Sequence, residues 1–206
     1  MRLILLGPPG SGKGTAARSL SERLAVPSVI ASDLLREEIA KGTEMGQEIS
    51  GYMTTGGLVP DHLVVSVVLP NLEKLNGFIL DGYPRTVVQA EKLEEYSSNH
   101  HADIDAVVYF DLPLEVAMAR NRARMTCASC GFSPPAGAEV CPNCGGALNR
   151  RLDDEDDVIE IRFSHYLEST KPLVDFYSRR DILLRIDASK SIKDVETSIL
   201  SGLGLA

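Results

Sequence analysis

The sequence predicts a doubly wound α/β fold, a five-stranded parallel sheet with helices on both faces. Three observations predict it. Short apolar runs recur between longer helix-like segments. Several of these runs are continuously apolar, as strands covered on both faces should be. A glycine-rich loop carrying a lysine follows the first run directly. Strands that alternate with helices build a parallel sheet, and such sheets gather ligands at the carboxyl ends of their strands.

The runs are RLILL (2–6), PSVI (27–30), GFILD (77–81), AVVYFD (106–111) and ILLRID (182–187). After the first comes GPPGSGKGT (7–15), which fits the phosphate-loop pattern G-x-x-x-x-G-K between a strand and a helix. Gly10, Ser11, Gly12, Lys13, Gly14 and Thr15 can cradle phosphates, because glycines let successive N–H groups face one anion and the next helix adds its dipole. Lys13 would reach the β- and γ-phosphates. Gly14 stands where the pattern usually has Ser or Thr, which displaces the usual hydroxyl ligand of magnesium to Thr15. Magnesium keeps its waters, so carboxylates that order those waters can replace the hydroxyl. Asp33 and Asp81 are the candidates, against N-capping or turn formation as the plainer roles.

After the second strand comes SDLLR (32–36), after the third DGYPR, and after the fourth DLP and the helix-like LEVAMARNRAR. Arg120 and Arg124, four apart, share one face of that helix. Two stretches interrupt the alternation. Residues 30–59 read as a helical insert ending in TTGGLVP, and residues 123–160 as a second insert holding every cysteine. The core is then 1–29, 60–122 and 161–206.

A chain of 206 residues supports one core with small inserted pieces. The formal charge of −8 argues against a general nucleic-acid binder, and no apolar run approaches the ~20 residues that span a membrane. Four cysteines without a recognisable secretory signal point to a reducing, cytoplasmic compartment, in which paired thiols hold metal more often than they form disulfides.

Cys127, Cys130, Cys141 and Cys144 form two C-x-x-C knuckles, each followed by glycine. Two such turns close a tetrahedral site of four thiolates, and four protein ligands leave no open position for catalysis. Structural zinc is preferred to iron, a disulfide or a redox pair, and the intervening SPPAGAEV suits a β-ribbon connection.

GPPGSGKGT, SDLLR, GGLVPD (56–61), DGYPRTVVQ (81–89), the arginines at 120 and 124, and RLDDEDDVIEIR (151–162) come in the order and spacing of adenylate kinases. Over essentially its whole length the chain resembles that family in its long-lid, zinc-binding form. The resemblance implies a P-loop kinase fold with a nucleoside-monophosphate-binding insert and a lid. It implies reversible transfer of a phosphoryl group between ATP·Mg and AMP to give ADP, by a monomer. By similarity Arg36 and Arg85 meet the AMP phosphate. Ala31, Gly57, Leu58, Val59, Gly82, Tyr83, Pro84 and Gln89 line the AMP side. Arg120 and Arg124 belong to the ATP side, Arg151 and Arg162 bridge both nucleotides, and Lys190 packs near the ATP adenine. Lys13, Arg85, Arg120, Arg124, Arg151 and Arg162 are the implied catalytic set.

That demand for arginine is physical. Phosphoryl transfer is mostly positioning plus stabilisation of charge on equatorial oxygens, and guanidinium forks suit it. Without the other motifs these arginines would read as a solvated face or as partners of the acidic run. The amide of Gln89 could read adenine's edge, yet TVVQ (86–89) is also a capping box. Ala31 and Ser32 depart from the family's Thr-Gly, which leaves another acceptor base as the alternative. A zinc-ribbon nucleotide switch is the alternative from another class; the insert has no lysine and, beyond Phe132, no aromatic platform for it. The insert between the arginine pairs 120/124 and 151/162 would be a lid that excludes water.

Overall fold

The computed structural model describes residues 1–55, 57–134, 137–150 and 156–205. Its centre is a five-stranded parallel sheet of β1 (Arg2–Leu6), β2 (Ser28–Ile30), β3 (Phe78–Asp81), β4 (Ala106–Asp111) and β7 (Leu183–Asp187), in the order β2-β3-β1-β4-β7. Each strand lies within the run that predicts it. The helices are α1 (Lys13–Leu24), α2 (Ala31–Ala40), α3 (Glu44–Thr54), α4 (Asp61–Leu72), α5 (Val87–His100), α6 (Leu114–Arg122), α7 (Asp156–His165), α8 (Leu173–Ser178) and α9 (Ile192–Gly202). One π turn, Tyr166–Thr170, separates α7 from α8.

The apolar continuity of β1 now has its cause. Ile4 and Leu6 join one apolar cluster with Phe78, Leu80, Val107 and residues of α2, α3, α4, α5 and α8. Leu3 and Leu5 join the other with Ile79, Val108, Phe110 and residues of α1, α6, α7 and α9. Both faces are covered, so no position from Leu3 to Leu6 is free to be polar. Burying each such side chain contributes about 1.5–3 kcal/mol.

Local chemistry sets the helix starts. Thr43 accepts from Gly46 N at the start of α3, Thr86 from Gln89 N at α5, and Ser191 from Asp194 N at α9. Each satisfies one otherwise orphaned donor. In the cysteine insert β5 (Thr126–Cys127) pairs antiparallel with β6 (Leu148–Asn149), and Val140 bridges Ala147. The described pairing lies at the base of the insert and beside its second knuckle, while the centre of the expected ribbon, 135–136, lies outside the described residues. No helix among the described residues is long and apolar enough to cross a membrane.

Candidate active site

The crevice opens where β1 ends and its glycine loop turns into α1. Gly12 caps that helix in a left-handed conformation (φ 94°), which glycine adopts without steric penalty. Lys13 folds back over the loop, donating through Nζ to Gly7 O and Pro8 O at 2.9 Å each and to Ser11 Oγ at 3.3 Å. Thr15 follows, half-buried, with its N–H on Gly12 O.

Asp81 ends β3, the strand beside β1. A Cβ on Gly14 would stand 3.4 Å from Asp81 Oδ2. Position 14 therefore lies beside the Asp81 carboxylate, at ordinary van der Waals distance.

Charges converge on Lys13 from four segments. Burial holds its ammonium down at about 8; Asp81 opposes that shift, while the positive charges of Arg85, Arg162 and Arg124 reinforce it. For Asp81 burial raises the carboxyl above its ordinary value. The Lys13, Arg85 and Arg124 charges pull it back, and Asp33 pushes it further up. The glycine loop, the turn after β3, the residues just beyond α6, and α7 thus all present charge to one spot. Strong mutual perturbation of this kind in a crevice is a mark of a functional site.

On the β3 side, Arg85 Nε donates to Gly82 O at 3.0 Å. A Cβ on Gly82 (φ 80°) would lie 3.3 Å from Arg85 Nη2 and 3.9 Å from Ala31 Cβ, so Ala31, Gly82 and Arg85 are neighbours. Tyr83 and Pro84, joined by a cis peptide, are buried beneath them. Arg36 pairs with Asp33 at 2.7 Å and reaches Ser32 Oγ at 3.3 Å. Asp33 lies in the first turn of α2, whose N-cap is Ile30, so it is not the helix cap. Gly57 donates its N–H to Tyr52 O, Leu58 is half-buried, and Val59 is buried.

On the α6 side, Arg120 donates to Ala188 O at 2.9 Å and Ser189 O at 3.4 Å, next to exposed Lys190. Arg151 lies outside the described residues. Asp156 and Asp157 occupy the first turn of α7, where carboxylates favour the helix dipole. Asp156 also accepts from Arg122 at 3.1 Å.

Gln89 is placed differently from the open base-reader the sequence suggests. It is 1% exposed. Its Oε1 accepts from Arg85 N at 2.8 Å and its Nε2 donates to Asp61 Oδ1 at 2.8 Å. The capping role predominates in this arrangement, shifted by one residue because the amide takes the N–H of Arg85 instead of that of Thr86. To read a base, the amide would have to exchange one of these partners.

Three features escaped the sequence. Asp61 receives both Gln89 and Thr86 Oγ1. Arg18 lies over the Phe132 ring, 5.2 Å from its centroid, joining α1 to the cysteine insert. Asn121 is fully buried beneath Gly10. A polar residue preceding an apolar run could have hinted at Asp61, whereas the other two depend on contacts between distant segments.

The four cysteine sulfurs all lie within 4.8 Å of one another. Cys127 and Cys144 are 3.4 Å apart, Cys130 and Cys141 3.6 Å, and Cys130 and Cys144 3.4 Å. Tetrahedral zinc with bonds near 2.3 Å sets sulfurs about 3.8 Å apart, so the cluster is compatible with it. Backbone N–H groups converge on the sulfurs: that of Phe132, with Asn143 and Cys144 helping, holds Cys130 down at about 6. Gly146 N–H acts the same way on Cys144, but the neighbouring Cys130 and Cys127 sulfurs push that thiol up to about 12. Such crowding of thiols suits a cation at the centre.

A glycine loop, a lysine and converging arginines at the carboxyl ends of a parallel sheet define a nucleotide-dependent phosphotransferase. A model of the adenylate kinase family matches residues 5–182. The chain is 42% identical over 204 residues to an adenylate kinase of Archaeoglobus fulgidus, covering 95% of this chain and 94% of that one. It is 42% identical over 213 residues to that of Syntrophotalea carbinolica, covering 99% of each. With the adenylate kinase of Alkaliphilus oremlandii it shares 41% identity, again over 99% of both chains. The chain belongs to the adenylate kinase family, and is a nucleoside monophosphate kinase.

Proposed function

We propose that the chain interconverts ATP plus AMP and two ADP, with magnesium on ATP, as a monomer in the cytoplasm. The observation that carries this reading is the convergence of Arg85, Arg124 and Arg162 with Asp81 around Lys13. ATP enters from the side of Arg120, Arg124 and Lys190, with its phosphates on residues 10–15. AMP enters from the side of Arg36, Gly57, Leu58, Val59, Arg85 and Gln89, and Arg151 and Arg162 bridge the two.

No protein nucleophile is required. An oxygen of the AMP phosphate forms the new bond to the γ-phosphorus, the bond from that phosphorus to the β,γ-bridging oxygen breaks, and ADP leaves. Lys13 and the guanidinium groups stabilise the charge that spreads over the transferred group. Magnesium neutralises phosphate charge when bound, and Asp81 and Asp33 orient its waters. Cys127, Cys130, Cys141 and Cys144 hold zinc, which supplies folding free energy to an insert with little apolar surface. The segments 30–59 and 123–160 act as the monophosphate-binding insert and the lid. The net charge of −8 supports substrates handled by local arginines and no nucleic-acid partner.

The test is an acceptor screen with ATP·Mg as donor and AMP, CMP, UMP and GMP as acceptors. AMP alone should support rapid ADP formation. Turnover with another acceptor and none with AMP overturns the substrate assignment, and failure of all four overturns the reaction.

A further inference from the structure

Asn121 is the one fully buried polar residue of α6, set between Arg120 and Arg122 in a stretch whose composition reads as a solvated face. Its Nδ2 donates to Ala117 O at 3.0 Å, one turn back along the helix. Its Oδ1 is equally buried and receives no hydrogen bond from the described residues. A buried acceptor left without a donor is destabilising, so its presence calls for an explanation.

The surroundings supply one. Gly10 of the phosphate loop stands directly on this amide. A Cβ added to Gly10 would fall 2.3 Å from Asn121 Nδ2, 3.1 Å from Asn121 Cγ and 2.6 Å from Ala117 O. Oδ1 is one bond from that Cγ and so belongs to the same amide on which Gly10 packs. Gly10 itself has φ +79°, a conformation in which glycine can turn its peptide groups at little steric expense.

We infer that Asn121 is a positioning residue for the phosphate loop: its free Oδ1 accepts a backbone N–H of the Gly10 turn when the loop closes on the phosphates of ATP. The inference rests on the proposal that residues 10–15 bind those phosphates. Lys13 Nζ donates to Gly7 O, Pro8 O and Ser11 Oγ. Phosphates draw the ammonium off these oxygens, the loop re-forms around the anion, and Asn121 gains the donor it lacks. The same side chain joins the loop to α6. Arg120 and Arg124 flank it in sequence, and Arg124 N donates to Asn121 O at 3.1 Å. Occupancy of the loop is thereby linked to the helix that carries Arg120 and leads into Arg124. An apolar residue of equal size would remove the unpaired oxygen and stabilise the empty protein. Retaining the amide makes sense if the bound state uses it.

Asn121→Leu and Asn121→Ser test this by calorimetry, with ATP·Mg alone and AMP alone as titrants, and by thermal unfolding. Leu keeps the volume and removes both amide ends, while the serine hydroxyl can donate to Ala117 O and still accept from the loop. Asn121→Leu should bind ATP·Mg about tenfold more weakly, bind AMP within twofold of the wild type, and unfold at or above the wild-type temperature. Asn121→Ser should recover ATP affinity to within about threefold of the wild type. Equal ATP affinity in Asn121→Leu and the wild type overturns the inference, as would follow if solvent satisfies Oδ1 with or without nucleotide. Parallel loss of ATP and AMP affinity with a lowered unfolding temperature also overturns it, since that is the pattern of a merely structural residue. If Asn121→Leu does not fold, Asn121→Val decides: a tenfold ATP-specific loss there supports the inference, and wild-type ATP affinity overturns it. Absence of ATP binding in the wild type would overturn the loop assignment, a distinct result.

Discussion

Gln89 Nε2 donates to Asp61 Oδ1 at 2.8 Å, tying the first turn of α5 to the first turn of α4. The acceptor is a carboxylate, so a carboxylate cannot take the place of the amide. Gln89→Glu would set two acidic groups face to face in a buried site. The expected result is a loss of about 1–3 kcal/mol in stability at neutral pH, together with a raised KM for AMP. Thermal unfolding at pH 7 and near pH 4.5 checks it, and the deficit should shrink at the lower pH as one carboxyl takes up a proton.

Lys13 makes pH a probe of the crevice. The unfolded lysine keeps its proton to about 10.5, the folded one only to about 8, because burial disfavours the charge. Between those values the unfolded chain holds more protons, so this group's contribution makes stability rise with pH across the window and stay flat below it. ATP reverses the bias by placing anions beside the ammonium. Near pH 8 part of the Lys13 population is uncharged, so ATP binding there should take up a fraction of a proton. Titrations in buffers of differing ionisation enthalpy measure that uptake, and it should vanish at pH 6.

Truncating Arg85 should separate catalysis from folding. Its backbone N–H serves Gln89 Oε1 and its carbonyl accepts from Thr170 Oγ1 at 2.9 Å, and both bonds survive Arg85→Ala. The side chain itself donates Nε to Gly82 O at the crevice. The variant should unfold near the wild-type temperature while kcat falls by about 10²–10³, the usual loss for one oriented donor at a reacting group.

Metal removal should act on the insert before the sheet. Cys141 is buried with its sulfur 3.6 Å from that of Cys130, so Cys141→Ser removes an inner ligand with little change in volume. The expected outcome is zinc below one equivalent per chain and early amide exchange confined to the insert, with slow exchange retained in β1 and β4. Identical exchange and melting before and after chelation would return the cysteines to a metal-free role.

Legibility in the sequence followed the range of the interactions. β1 was readable because burial on both faces leaves Leu3, Ile4, Leu5 and Leu6 no polar option, and the glycine loop because phosphate binding demands those residue types at that spacing. The knuckles were readable because ligand spacing is local. Gln89 was only half readable, since its capping role is local while its bond to Asp61 crosses 28 residues. Asn121 was unreadable: nothing in RNRAR marks it as buried, and its burial depends on Gly10, more than a hundred residues earlier. The pairing at the root of the insert was not readable for a related reason, because β5 and β6 are two residues each and carry no periodic signal.

The pairing of β5 with β6 and the four sulfurs together close the insert near its root. Between Phe132, which meets Arg18, and Val140, which bridges Ala147, the described residues Gly137 and Glu139 are exposed. Residues can accumulate or disappear there without any strand register or helix cap having to follow. The outer loop is therefore the natural seam for lengthening, shortening or grafting, and a peptide spliced in at 137–139 would inherit an anchorage already made.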